Sequence, residues 1–236
     1  MKLFTKYCSL ALVLLLRFGG QADDGPVDRL IDFQQYRFGL PPLEFVFDAT
    51  GAHGAVLAAR RPLWRTYIDY TAPSPKFVLI EAAGLPQTNH FPIALVKETR
   101  GAELKLAVSF KLLSGTLDRS AGLLWSGEDR NNYFGVLASG LRQNVSFVQM
   151  SNGAPVLLGQ ASFSLNETNW NDIEVSVQGE AIQVWLNNKL VLENRDKNPS
   201  PSGQVGLITA ADSVVLFDDL YIQSGSGRVI RKTAVH

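Results

Sequence analysis

The chain has 236 residues, 46% hydrophobic and 19% charged, which is enough apolar material for a core and excludes wholesale disorder. Its 22 Lys and Arg balance its 22 Asp and Glu, so it lacks the basic footprint of a nucleic-acid binder and no nucleic acid is expected as a partner. A chain of this length fits one large β domain better than two small ones.

The N-terminus reads as a secretory signal. Lys2 and Lys6 form a positive region, Leu10 to Leu16 an apolar run, and Gly20-Gln21-Ala22 a small-x-small cleavage site before Asp23. A membrane helix needs about 20 apolar residues. The expected arrangement is therefore a cleaved signal peptide over 1–22, export to the periplasm or the extracellular space, and no membrane span afterwards; retention as an anchor is the alternative. The single cysteine, Cys8, lies inside this segment, so the mature chain has no disulfide framework, thiol nucleophile or thiolate metal site.

Beyond the signal the elements are short. From Leu40 to Pro75 the prolines Pro41, Pro42, Pro62, Pro73 and Pro75 predict loops and edge strands. A strand is expected over Lys76 to Ala82. Leu104, Leu106, Val108, Phe110 and Leu112 then alternate with Lys105, Ala107, Ser109 and Lys111, the period of a strand with one packed face. Strands follow at Ala121 to Trp125, Tyr133 to Ala138 and Val145 to Gln149. Ile173, Val175 and Val177 alternate in the same manner. Asn187-Asn188 separates Gln183 to Leu186 from Lys189 to Leu192 and predicts a tight hairpin, because Asn tolerates the positive φ that a two-residue turn requires. The last strands are Val205 to Thr209 and Val214 to Ile222. A solvated tail over 224–236 completes the chain, leaving one β-sandwich domain over 23–223.

Several landmarks occur in a telling order: Gly122 to Trp125, Asp129 to Tyr133, Trp170 to Val175, Val184 to Lys189, Gly203 to Leu207, Ala211 to Ser213 and Phe217 to Asp219. In this order they resemble the laminin G-like, concanavalin A-like family labelled 3-keto-disaccharide hydrolase domain, over about Phe33 to Ile222. The resemblance implies an all-β fold, a concanavalin A-like (laminin G-like) antiparallel β-sandwich of jelly-roll type, and a glycan or glycoside as partner. It also suggests a structural calcium held by Asp218 and Asp219 with Asp32, for which surface carboxylates are the alternative. No other cofactor is implied. The chain departs from the family pattern at Ser126, Leu137, Ser139, Arg142, Ser146, Ile208 and Ala210, where members carry polar, charged or aromatic residues. Those positions are expected to line the glycan-facing sheet, which puts inherited catalysis in doubt.

Glycosidases set two carboxyl groups about 5 to 9.5 Å apart across the scissile bond. The paired Glu-x-Asp-x-x-Glu strand pattern is absent from this sequence. Glu128 and Asp129 are the remaining acid/base candidates, and a solvated turn is the alternative for them. His53, His90 and His236 adjoin no nucleophile elbow and have no close His or Cys partner for zinc. Sugar recognition needs an aromatic face together with planar polar groups. The candidate ligand-binding residues are Trp125, Asp129, Asn131, Asn132, Tyr133, Arg142 and Asn144, with Trp125 as core and 129–132 as a plain turn being the structural alternatives. The expected function is an exported glycan-binding or interaction module without catalysis. Hydrolysis of 3-keto-glycosides is the first alternative, and a structural or adhesive envelope protein the second.

Overall fold

The structure, a computed structural model, describes residues 27–51, 63–96, 103–195 and 203–225. The signal segment, His53, His236 and the tail beyond Gly225 lie outside the described residues. Every regular element among those described is a strand.

Among the described residues fifteen strands form two antiparallel sheets. The eight-stranded sheet runs β13 (Lys189–Arg195), β12 (Ala181–Leu186), β11 (Asn171–Gln178), β6 (Glu103–Ser114), β15 (Val214–Ser224), β4 (Phe77–Glu81) and β3 (Trp64–Ile68), with β1 (Val27–Ile31) also paired to β15. The seven-stranded sheet runs β10 (Ala154–Ser162), β9 (Asn144–Ser151), β8 (Asn132–Ser139), β7 (Ser120–Asp129), β14 (Gln204–Thr209), β5 (Phe91–Val96) and β2 (Phe45–Thr50).

The core follows from the strand period. On β6 the alternating Leu104, Leu106, Val108, Phe110 and Leu112 are all buried, and they meet Leu123, Trp125, Val136, Phe147, Val205 and Leu207 from the facing sheet in one cluster. The β12–β13 hairpin turns on Asn187 and Asn188 at φ 49° and 63°, the paired positive angles its sequence predicts. Between Leu40 and Pro75 the chain supplies β2 and β3, each at the edge of a sheet. β5 and β10 were not expected. β10 has no clean alternation because most of its side chains face solvent on an edge strand, and β5 carries Pro92 opposite Ala49 of edge strand β2.

The outward faces of the two sheets differ. In the seven-stranded sheet a second apolar cluster, including Ile93, Leu124, Tyr133, Leu137, Val148, Met150 and Ile208, lies on the face turned from the core. Both faces of β7 and β8 are thus largely buried, and all of 120–127 is buried.

Candidate functional site

Strand register places a polar row at one end of that outward face. Asn144 on β9 lies opposite Ser139 on β8, which lies opposite Ser120 on β7. In the next row Gln160 on β10 faces Ser146, and Ser146 faces Leu137. A cavity of about 500 Å³ opens over these rows, a volume in the range of small-molecule sites. His90, Phe91, Asp118, Arg142, Val148, Pro155, Leu157 and Ala210 complete most of its wall.

Asp118 is the carboxylate of this cavity. It is nearly buried, and its Oδ1 accepts from Arg119 N at 2.8 Å, from Ser139 Oγ at 3.1 Å and from Ser120 Oγ. Its Oδ2 meets Arg142 Nη2 at 3.2 Å. The Asp118 turn is itself held from below. Asp212 accepts from Thr116 N and Oγ1 at 2.7 Å, Leu117 N at 2.9 Å and Asp118 N at 3.0 Å. Burial alone would raise the Asp212 carboxyl, but these donors bring it down to about 2, so it stays an anion.

The loop carrying Asp212 joins the two sides of the cavity. Ala211 N donates to His90 O at 2.7 Å, and Ser120 N donates to Ser213 Oγ at 2.9 Å. His90 is completely buried, and neither ring nitrogen has a partner among the described residues. Burial depresses its basicity, so the imidazole is neutral near pH 7. Asn144 Oδ1 is likewise buried and unpartnered among the described residues.

The seven expected ligand residues are not gathered together. Only Arg142 and Asn144 line the cavity. Asp129, Asn131 and Asn132 form the β7–β8 turn at the far end of β8, roughly 24 Å from Ser139 at about 3.4 Å per residue. There Asp129 Oδ1 accepts from Asn131 N at 2.6 Å and Asn132 Nδ2 at 3.0 Å, and Asn132 Oδ1 accepts from Asn152 N at 3.0 Å. The Asn131 N–H holds the exposed Asp129 carboxyl below its usual range. Glu128 and Asp129 are both exposed in this turn and contribute no carboxyl to the cavity.

Trp125 points the other way. Its ring is fully buried between the sheets, 5.6 Å from Phe147 at an interplanar angle of 9° and 6.0 Å from Phe134 at 20°. Side chains alternate along a strand, so Leu124 takes the outward face and Trp125 the core. Tyr133 does face outward, but it is buried in the apolar cluster, with its hydroxyl 2.9 Å from Thr50 Oγ1. Its burial raises the phenol.

The three carboxylates expected to bind calcium accept hydrogen bonds from within the chain. A β-bulge between Asp218 and Tyr221 turns Asp219 to φ 49°. Asp218 Oδ2 accepts from Ser74 N at 2.8 Å and Asp218 Oδ1 from Asp219 N at 2.9 Å, while Asp219 Oδ1 accepts from Ser74 Oγ at 2.7 Å. Asp32 Oδ1 accepts from Gln34 N at 3.1 Å. No group of three or more His, Cys, Asp or Glu among the described residues is placed to hold a metal ion. Burial first, then the charges of Asp219 and Asp32, raise the Asp218 carboxyl to about 7.

Sequence reasoning missed His90, Asp118, Ser120 and Gln160 as lining residues. The signal that could have found part of the site was the set of departures: Leu137, Ser139, Arg142, Ser146 and Ala210 all line the cavity. A family model described as the 3-keto-alpha-glucoside-1,2-lyase-like domain matches residues 99–223. The chain belongs to this family. The matched stretch includes the cavity wall from Leu117 to Ala211 but not the Thr88 to Phe91 side.

Solved structures agree on the architecture of this lyase-like domain. The carbohydrate binding module CBM66 from Bacillus subtilis superposes with a TM-score of 0.55 at 16% identity, covering 68% of this chain and 95% of that one. The carbohydrate recognition domain of Emp47p gives 0.54 at 12% identity over 86% and 96%. The exoplasmic/lumenal domain of VIP36, in a Ca2+/Man3GlcNAc-bound form, gives 0.52 at 10% over 83% and 90%. At these identities the likeness shows the fold, a lectin-type jelly-roll sandwich, as the sequence landmarks imply. No curated protein matches the sequence.

Proposed function

We propose that this lyase-like domain is an exported glycan-binding module, and that its ligand lies on the outward face of the seven-stranded sheet between the β8–β9 turn and β5. The observation that carries the reading is the cavity itself. It sets Asp118, Arg142, Asn144, Ser139, Ser146 and Gln160 beside the apolar Phe91, Leu137, Val148 and Leu157. Hydroxyl groups of a sugar meet paired donors and acceptors there, and the C–H face of the ring meets an apolar wall. The fold shared with carbohydrate-recognition domains supports the same reading. Export rests on the signal-like residues 1–22, and the folded unit is taken as 23–223. Among the described residues no helix is long and apolar enough to cross a membrane.

Cleavage of a 3-keto-glycoside is the second reading, favoured by the family description. Among the described residues Asp118 is the only carboxylate in the cavity wall, so of two facing carboxyls they supply one there. The binding reading requires no cation; a structural calcium at Asp32, Asp218 and Asp219 would have to displace the Ser74 donors.

The deciding experiment is a glycan array probed with the full chain, followed by a product assay on each hit and on its 3-keto derivative. Binding without turnover is expected. Turnover that is lost in Asp118→Asn would establish the enzyme reading instead, and silence from folded protein would overturn both.

A further inference from the structure

The outward face of the eight-stranded sheet carries a cavity of its own, of about 970 Å³, which shares no residue with the one described above. Trp185 on β12 lies opposite Glu174 on β11, which lies opposite Ala107 on β6. In the rows on either side Gln183 faces Ser176, which faces Lys105, and Asp172 faces Ser109. These residues alternate with the core residues Val184, Val175, Ile173, Leu106 and Val108, so their side chains point away from the core. Small residues, Ala107, Ser109 and Ser176, make the floor low. Trp185 and Gln183 stand on one side of it and Lys105 on the other, two strand spacings away, roughly 10 Å at about 4.8 Å each.

The groups around this floor are open to solvent. Trp185, Gln183 and Glu174 are half-buried, whereas Asp172, Gln178 and Asn188 are exposed. An accessible indole bordered by side-chain amides suits the C–H face and the hydroxyls of a sugar ring. Interior strands β12, β11 and β6 have their backbone groups taken by the ladder on both sides, so a peptide cannot add here as a strand. The charge of the wall is unbalanced: Asp172, Glu174 and Asp219 stand against Lys105, which pairs with Glu174 at 2.9 Å. Asp172 Oδ1 accepts from Ser109 Oγ at 2.5 Å, and no cation among the described residues pairs with this carboxylate. Asp172 and Trp185 are diagonal neighbours on adjacent strands, within reach of one ligand group. An ammonium group placed there meets both a carboxylate and the face of an indole.

We propose that this face is a second saccharide site, and that its ligand is an amino sugar with free amines, such as a glucosamine oligomer. One ring stacks on Trp185 with its ammonium group on Asp172, and the rest of the chain runs along β11 towards Gln183 and Gln178. The wall follows β11 from Asp172 to Gln178, roughly 20 Å at about 3.4 Å per residue, which suits an oligomer better than a single ring. The inference does not rest on the glycan reading of the seven-stranded sheet.

The test is calorimetric titration of the full chain with a glucosamine tetramer, its fully N-acetylated counterpart and tetralysine, in mildly acidic buffer that keeps the amines protonated. The glucosamine tetramer should bind, and the N-acetylated one about tenfold more weakly, because it keeps the rings and loses the charge. Asp172→Asn, which retains the acceptor for Ser109 Oγ, should lower the affinity about fivefold. Trp185→Ala should lower it about tenfold and Trp185→Phe should restore part of the loss, with melting curves to show that each variant is folded. In the wild-type chain the Trp185 indole N–H signal should shift on titration, a readout that needs no variant. Equal affinity for the two tetramers, tetralysine binding as tightly as the amino sugar, full affinity in Asp172→Asn, or no binding to folded protein overturns the inference. Loss of the affinity in Arg142→Ala also overturns it, by moving the amino sugar to the other cavity. Silence of the array towards neutral glycans removes the reading of the seven-stranded sheet and leaves this site to be decided by the glucosamine tetramer.

Discussion

Arg142 Nη2 lies 3.2 Å from Asp118 Oδ2, joining the β8–β9 turn to the turn that precedes β7. The Arg142 side chain is 62% accessible and that of Asp118 only 9%, so the pair has one wet and one buried member. Such a pair adds little to folding but sets a defined charge pattern at the rim of a site. Arg142→Ala should weaken glycan binding about tenfold while changing stability by less than about 0.5 kcal/mol. Parallel titration and thermal melts check this. A melting temperature that drops sharply with affinity intact would make Arg142 a structural residue.

Asp212 should be the reverse case. Its carboxylate satisfies three backbone N–H groups and one hydroxyl beneath Asp118. Asp212→Ala is expected to cost about 2 to 3 kcal/mol and to reduce binding as well, since the Asp118 turn loses its acceptor. The folded-state value lies below the ordinary one, so its contribution is full above about pH 4 and disappears as the pH falls through about 2. Urea titrations of both proteins at pH 7 and pH 2 should show the difference between them shrinking in acid.

Trp125 fills the core against Phe134 and Phe147. Trp125→Ala should destabilise by about 3 to 5 kcal/mol, with affinity per folded molecule unchanged. Chemical denaturation combined with a ligand-binding titration separates the two effects. Lost affinity in fully folded protein would place Trp125 in the site after all.

Glu81 is wholly buried, and Oε1 accepts from Leu63 N at 3.2 Å and Ala83 N at 3.0 Å, whereas Oε2 has no partner among the described residues. Burial raises this carboxyl to about 7. Because the folded value exceeds the unfolded one, the folded chain holds the extra proton, and stability falls as pH rises from about 4.5 to about 7, by about 3 kcal/mol from this group. Asp218, also raised to about 7, steepens the same slope. Glu81→Gln should therefore melt higher than the wild type at pH 8 and close to it at pH 4. Equal melting temperatures at pH 8 would refute the buried-carboxyl account.

Calcium should leave the melting temperature unchanged, because no group of three or more His, Cys, Asp or Glu among the described residues is placed to hold it. Thermal scans in millimolar calcium and in chelator check this directly. A rise with calcium that vanishes in Asp219→Asn would restore the metal site.

How much was legible depended on contrast between the two faces of a strand. On β6 and β11 apolar residues alternate with Lys, Ser and Glu, so the pattern alone shows which side is packed. The Asn187-Asn188 turn is a local matter of backbone angles, and it too was readable. On β7 and β8 both faces are apolar, and a period of two cannot say which of Leu124 and Trp125 meets the other sheet. For that reason Trp125 was expected on the ligand side, whereas the structure turns it into the core.

Composition, periodicity and the ordered landmarks by themselves determined an all-β sandwich of the lyase-like family, since strand period and turn chemistry are local properties of the chain. The site was decided only by the tertiary structure. Pairing of β9, β8, β7, β14 and β5 brings Asn144, Asp118 and His90 around one cavity and sends Asp129 to the opposite end of β8. The two ends of one strand, such as Asn132 and Ser139, are separated by its length, and residues distant in sequence become neighbours, because lateral hydrogen bonding sets the register of the sheet.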